Sequence, residues 1–182
     1  MFETFKADLN AALENDPAAK NKAEIIFTYG GFRALQCYRR AHWFYTHKMS
    51  FIAFMITAHA RKCYGVEIHP AAKIGKGVFI DHGVGLIIGE TTEIGDNVKI
   101  YQGVTLGALS TRQGQQLRGV KRHPTLGDNV TIYANTTVLG GETVIGDNAT
   151  VAGNTFLVNS VPSDMKVSMR APELEYRSDS KK

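Results

Sequence analysis

Two hydrophobic rhythms divide the chain. From Gly65 onward aliphatic residues return at every sixth position, at Ile68, Ile74 and Ile80, then Ile88, Ile94, Ile100 and Leu106, then Leu126, Ile132 and Val138, then Ile145, Val151 and Leu157. Neither an α-helix nor an alternating strand has that period. Small or turn-forming residues follow many of these aliphatics, as in IGKGVF, IGDNVK, LGDNVT and IGDNAT. Each hexad therefore supplies a short strand, one inward aliphatic and a turn in which Gly or Asn takes positive φ. Three such sides close a coil, and coils stack by parallel pairing about 4.8 Å apart around a narrow aliphatic core. The period breaks three times, with offsets of 8 between Ile80 and Ile88, 20 between Leu106 and Leu126, and 7 between Val138 and Ile145.

Residues 1–64 read differently. They hold one proline and two glycines and are rich in Ala, Lys, Glu and aromatic residues, a helical composition. A first helix is predicted over Glu3–Glu14. Asp16 and Pro17 read as the N-cap and first residue of a second, which stops at Gly30-Gly31. A third spans Phe32–Thr46 and sets Leu35, Tyr38, Arg39 and His42 near one face; a fourth runs from Ser50 to Cys63 and ends at Gly65. The expected fold is α+β: a short helical domain over 1–64, a parallel β-helix of hexapeptide repeats over 65–160 with a loop projecting at 107–125, and a C-terminal tail over 161–182. Its left hand is that of the known hexapeptide class, since spacing alone does not set it.

Composition narrows the function classes. The 182 residues are 43% hydrophobic and 21% charged, which suits one domain with an appendage and a real core. A net charge of +4 is too weak a surplus to indicate nucleic acid, but suits an anionic ligand where the cations cluster. With only Cys37 and Cys63 there is no disulfide framework and no CxxC, so a reducing, cytoplasmic setting is expected. The start, MFETFKADLN, has no signal-peptide pattern, and the most apolar run, Phe51–Ala60, falls far short of the roughly 20 residues of a membrane span. Both cysteines read as small buried helix residues, not nucleophiles.

Chemistry has to come from side chains that depart from the repeat. His82, in Asp81-His82-Gly83, stands where the first extra pair interrupts the period, with Glu67 and Asp81 the carboxylates near it in sequence. An imidazole can take a hydroxyl proton, and a carboxylate on its other nitrogen fixes the tautomer. The excursion GALSTRQGQQLRGVKRHPT carries Arg112, Arg118, Lys121 and Arg122 and no acidic residue, so it reads as a contact for phosphate or carboxylate, or else as a solvated loop. His123 closes that loop as a further ligand contact, whereas His69 reads as structural and His42, His47 and His59 as helix-surface or packing groups. Three-histidine zinc sites occur in some left-handed β-helices, but His69, His82 and His123 lack their spacing, so no metal is expected.

The stretch VEIHPAAKIGKGVFIDHGVGLIIGETTEIGDNVKIYQGVTLGALS, followed by GVKRHP, resembles the bacterial serine O-acetyltransferases. Asp16-Pro17-Ala18 and FRALQCYRRAHW resemble the end of that family's N-terminal helical domain. The resemblance implies acetyl transfer from acetyl-CoA to the hydroxyl of L-serine, giving O-acetylserine and CoA, the step that commits serine to cysteine synthesis. It makes His82 the general base and Glu67 its carboxylate partner. Arg122 and His123 hold the serine carboxylate, and Asp16 receives its ammonium; Asp81 and Glu90 join the substrate site. Gly107 and Ala108 lie along the CoA arm, with Arg112 and Lys121 beside them. It further implies a cleft shared between neighbours in a homotrimer, in longer members a dimer of trimers, and feedback inhibition by L-cysteine. Members dock cysteine synthase through a tail ending in isoleucine; this chain ends SDSKK, which speaks against that complex. The family pattern has aspartate where this chain has Glu67, and one large branch has glycine at Ala108. Two alternatives stay open: a hexapeptide acyltransferase with another small hydroxyl or amine acceptor, and a weakly active solenoid that regulates cysteine synthase.

Overall fold

The computed structural model describes residues 2–110 and 112–170, so the end of the predicted tail, 171–182, lies outside them. The hexad columns become three parallel ladders. One face stacks Ile68, Ile88, Leu106, Val138 and Leu157. The second stacks Ile74, Ile94, Leu126 and Ile145. The third stacks Ile80, Ile100, Ile132 and Val151, and continues to Val167. The result is a left-handed parallel β-helix, a three-sided prism whose inward aliphatics form one core, with Ile74, Leu157 and Val167 only partly buried. Burying such a column is what holds strands of two or three residues together, since pairs that short are not stable alone.

All three breaks in the period fall at edges of the prism, so the core register survives them. The extra pair after Ile80 widens the edge between the third and first faces, and Ile68 still pairs with Ile88. The long excursion leaves from the edge between the first and second faces, and Ile94 still pairs with Leu126. The single extra residue before Ile145 lies on that same edge. The remaining edge keeps the regular repeat. There Asn97, Asn129 and Asn148 take φ of 58 to 60°, and their amides run in a file ending on Asp164.

Four helices precede the prism: α1 (Phe2–Asn15), α2 (Lys22–Thr28), α3 (Gly30–Thr46) and α4 (Ser50–Tyr64). The start of α2 differs from the sequence expectation. Asn21, not Asp16, is its N-cap, accepting from the Glu24 N–H at 2.9 Å, while the Asp16 carboxylate accepts from Ala18 N–H at 2.8 Å in a turn of its own. Gly30 and Gly31 open α3 and do not close α2. A Cβ on Gly31 would lie 2.1 Å from the Ile80 carbonyl oxygen, so glycine lets α3 start against the prism. As its spacing predicts, α3 turns one face to the solenoid: Leu35 and Tyr38 join the core, and Tyr38 Oη donates to Ala72 O at 2.6 Å. That helix caps the N-terminal coil, which would otherwise expose its column residues. Asp8 of α1, fully buried, pins the arrangement by accepting from Arg39, Gln36 and the Val78 N–H. Among the described residues no helix is long and apolar enough to cross a membrane.

Candidate active site

Two widened edges carry two groups of polar side chains. At the edge between the third and first faces, His82 has φ 56°, a left-handed conformation unusual for a side-chain-bearing residue. Gly83 and Gly85 follow with φ of 87° and 80°. A Cβ on Gly83 would press on Ile80 and Val66 at about 3 Å, so the turn sits tight on the core while the His82 side chain stays 74% exposed. Asp81 lies beside it, its carboxylate 3.9 Å from His82 Nε2. The turn after α1 brings in Asp16, so Asp16, Tyr29, Asp81 and His82 line one cavity of about 360 Å³ against the start of α3. Burial, reinforced by the neighbouring Asp16 carboxylate, pushes the Tyr29 phenol up to about 12. It therefore stays protonated beside that carboxylate. Two carboxylates and an open imidazole in one recess suit an amine next to a hydroxyl.

Glu67 is held elsewhere. Its carboxylate accepts from Arg61, at the end of α4, at 3.1 Å, and among the described residues no ion pair joins it to His82. Arg61 and Glu67 are 64% and 44% exposed, and ion pairs so open to water contribute about 0–1 kcal/mol. That contact is easily exchanged.

At the edge between the first and second faces the long loop returns to the prism. Gly114–Leu117 forms one 3-10 turn, and the Arg122 guanidinium reaches back to Leu117 O at 3.2 Å and pairs with Glu90. Burial alone would push Glu90 up, but the Arg122 hydrogen bond and charge outweigh it and hold the carboxyl below its usual range. His123 is buried. Its burial, with the Arg122 charge beside it, lowers the imidazole to about 4. Nδ1 accepts from the Thr91 N–H at 3.1 Å, which leaves the proton of the neutral ring on Nε2. Lys121 donates to Thr91 O at 2.6 Å and to Pro124 O at 3.4 Å, so its ammonium anchors the loop. Arg112 and Arg118 are exposed. Gly107 ends a strand at this edge, its carbonyl accepting from Gly140 N–H at 3.1 Å, and half-buried Ala108 follows it into the loop.

The residues singled out in the sequence thus fall into two sets, Asp16, Asp81 and His82 on one edge and Glu90, Arg122 and His123 on the other. Three further residues build the second set: Thr91, Gly89 and Gly141. A Cβ on Gly89 would enter the His123 ring at 2.0 Å, and one on Gly141 would meet Lys121 O at 2.2 Å. His69 is structural, as its place after a column residue suggests: Nδ1 accepts from Ala71 N–H at 3.1 Å and the ring meets Tyr45 and Phe54 edge-on. His42 bonds Pro70 O, His47 stacks on Trp43, and His59 meets Tyr64 edge-on. Cys37 is buried, but Cys63 is exposed, because it lies off the Ala53–Ala60 stripe that α4 buries. Among the described residues no group of three or more His, Cys, Asp or Glu side chains is placed to hold a metal ion.

Comparison with known proteins is consistent from end to end. The N-terminal family model of serine acetyltransferases matches residues 1–37. The serine acetyltransferase of Synechococcus elongatus is 44% identical over 178 residues, covering 98% of this chain and 70% of that protein. Among solved structures, Neisseria gonorrhoeae serine acetyltransferase in complex with serine superposes with a TM-score of 0.85 at 35% identity, covering 94% of this chain and 68% of that one. Entamoeba histolytica serine acetyltransferase isoform 3 in complex with cysteine superposes with a TM-score of 0.88 at 36% identity, covering 97% of this chain and 61% of that one. The chain is thus similar to these proteins over nearly all of its own length and about two thirds of theirs.

Proposed function

The chain belongs to the serine acetyltransferase family, and from that premise we propose that it moves an acetyl group from acetyl-CoA to the hydroxyl of L-serine. The products are O-acetyl-L-serine and CoA, the first step from serine toward cysteine. The observation that carries this reading is the division of the polar groups. One edge offers carboxylates and an open imidazole, suited to an ammonium and a hydroxyl; the other offers a guanidinium and a neutral imidazole N–H, suited to a carboxylate. Serine carries all three groups.

His82 is the general base. It takes the hydroxyl proton as the serine oxygen attacks the thioester carbonyl; the tetrahedral oxyanion collapses, the C–S bond breaks, and the CoA thiolate leaves with the proton the imidazolium returns. A backbone N–H of a glycine-rich turn is the donor the oxyanion requires. Asp16 and Asp81 receive the ammonium. Arg122, aligned by Glu90, and His123 receive the carboxylate. Glu67 orients His82 once it leaves Arg61, Gly107 and Ala108 flank the pantetheine arm, and Arg112 meets the acidic end of CoA. Transfer is direct. L-cysteine, with the same ammonium and carboxylate, fits the same place as a feedback inhibitor.

The two edges bracket one face of the prism, a hexad's width of up to about 20 Å at about 3.3 Å per residue, too far apart for one serine to touch both. A homotrimer closes the gap: in a threefold ring each chain sets its His82 edge against its neighbour's His123 edge. Thiol release from acetyl-CoA with L-serine and a panel of small hydroxyl and amine acceptors tests the assignment. The highest kcat/KM belongs to L-serine; a higher value for another acceptor overturns it.

A further inference from the structure

Thr91 is the most heavily used residue of the loop-bearing edge, and none of its bonds is made to its own coil. Its backbone N–H donates to His123 Nδ1 at 3.1 Å, and its hydroxyl lies 2.9 Å from the same nitrogen. That hydroxyl accepts from the N–H groups of Arg122 at 2.9 Å and His123 at 3.0 Å, so its own proton is free for Nδ1. Its carbonyl accepts from Lys121 Nζ at 2.6 Å. One residue thus fixes three successive residues of the returning loop, 30 to 32 positions away in sequence.

Resting on the activity proposed above, we propose that Thr91 is a positioning residue for serine capture: it seats Arg122 and His123 together and locks His123 in the tautomer that presents Nε2–H to the substrate carboxylate. An imidazole that receives two donors at Nδ1 cannot carry its proton there, so Nε2 keeps it. Without the hydroxyl, two loop N–H groups lose their acceptor and Nδ1 loses one of its donors. The surroundings of the ring agree with a neutral imidazole: burial disfavours a second proton, Arg122, His69 and Lys121 oppose it, and Glu90 attracts it.

The test pairs Thr91→Val, which removes the hydroxyl at nearly constant volume, with Thr91→Ser, which keeps it. In Thr91→Val, serine KM rises about 10-fold or more, while kcat at saturating serine and KM for acetyl-CoA stay within about 3-fold, because full occupancy pulls the loop into place. Thr91→Ser restores serine KM to within about 3-fold of wild type. An unchanged serine KM in Thr91→Val, a fall in kcat without a rise in KM, or no rescue by serine overturns the proposal. Imidazole ¹⁵N spectra of the ligand-free wild type supply a readout independent of catalysis and of whether Thr91→Val folds. His123 gives the neutral Nε2–H pattern at pH 7; an Nδ1–H pattern overturns the proposal. A wild type that does not acetylate serine at all overturns the activity, and the spectra still decide the Thr91–His123 contact.

Discussion

His123 shows how much one buried imidazole weighs on the chain. An unfolded histidine titrates near 6.5, and in the folded chain His123 is held down to about 4. Between those values the unfolded state binds a proton that the folded state refuses, so stability falls as pH drops through 6.5 toward 4. Urea unfolding at fixed protein concentration is expected to show about 2 kcal/mol less stability at pH 5 than at pH 7 from this group, a loss that His123→Gln removes. Glu67 makes a second case. A glutamate reaches one carbon–carbon bond farther than aspartate and loses more rotamer freedom when held. If the cleft has not compensated, Glu67→Asp raises kcat with serine; if it has, Glu67→Asp is slower. In either case Glu67→Gln is slowest, and full kcat/KM in Glu67→Gln would pass the orienting role to Asp81, 3.9 Å from His82. His82, Asp81, Arg122 and His123 were legible in the chain because they depart from the hexad and sit where the period breaks. Thr91, Gly89 and Gly141 were not. They look like ordinary turn residues, and their work appears only once a loop some thirty residues later folds back onto the first, or onto the coil below.

At the scale of elements the period of six carried nearly everything. Six-residue spacing has no reading other than short stacked sides, so thirteen column residues found their ladders from spacing alone. Helix boundaries were harder. Asp16-Pro17 has the chemistry of a helix start, but Asp16 turns toward Tyr29 and the His82 edge, and Asn21, with Glu24 three residues on, caps α2 instead. The pair Gly30-Gly31 looked like a stop signal because sequence shows conformational freedom and hides close approach. Its purpose is contact. Gly31→Ala would drive a methyl into the Ile80 carbonyl at 2.1 Å, with rigid backbone on both sides. We expect a loss of about 1–3 kcal/mol or more in urea unfolding, with the cap lifting from the prism. Stability equal to wild type would mean that α3 shifts freely on the solenoid. The same shift would disturb the Asp16–Asp81–His82 recess, so activity with serine should fall with it.

As a whole molecule, the chain is a three-sided prism with a group of polar side chains on each of two edges and a helical cap tied down at one end. The tie is Asp8. Its fully buried carboxylate pairs with half-buried Arg39, which also donates to the carbonyls of Ile74 and Gly75, so the cap and the first coil share one polar knot. Removing one partner of such a pair strands the other charge, so the knot couples the cap to the first coil. In the function proposed above neither edge alone gives serine both a base and a carboxylate clamp, so that proposal requires two chains to share each site. Mixing two variants tests this most directly. His82→Ala spoils only the first edge and Arg122→Ala only the second, so each variant alone is expected to be about 10²-fold or more below wild type in kcat/KM for serine. Unfolded together at equal concentration and refolded, the two form mixed trimers in which about a quarter of the shared sites receive one intact edge of each kind, the random expectation for a closed threefold ring. Thiol release from acetyl-CoA with L-serine should then recover to about a quarter of the wild-type rate. A mixture no more active than its two components, in oligomers shown by native mass spectrometry to hold both variants, would place the whole site within one chain and contradict a site shared between chains.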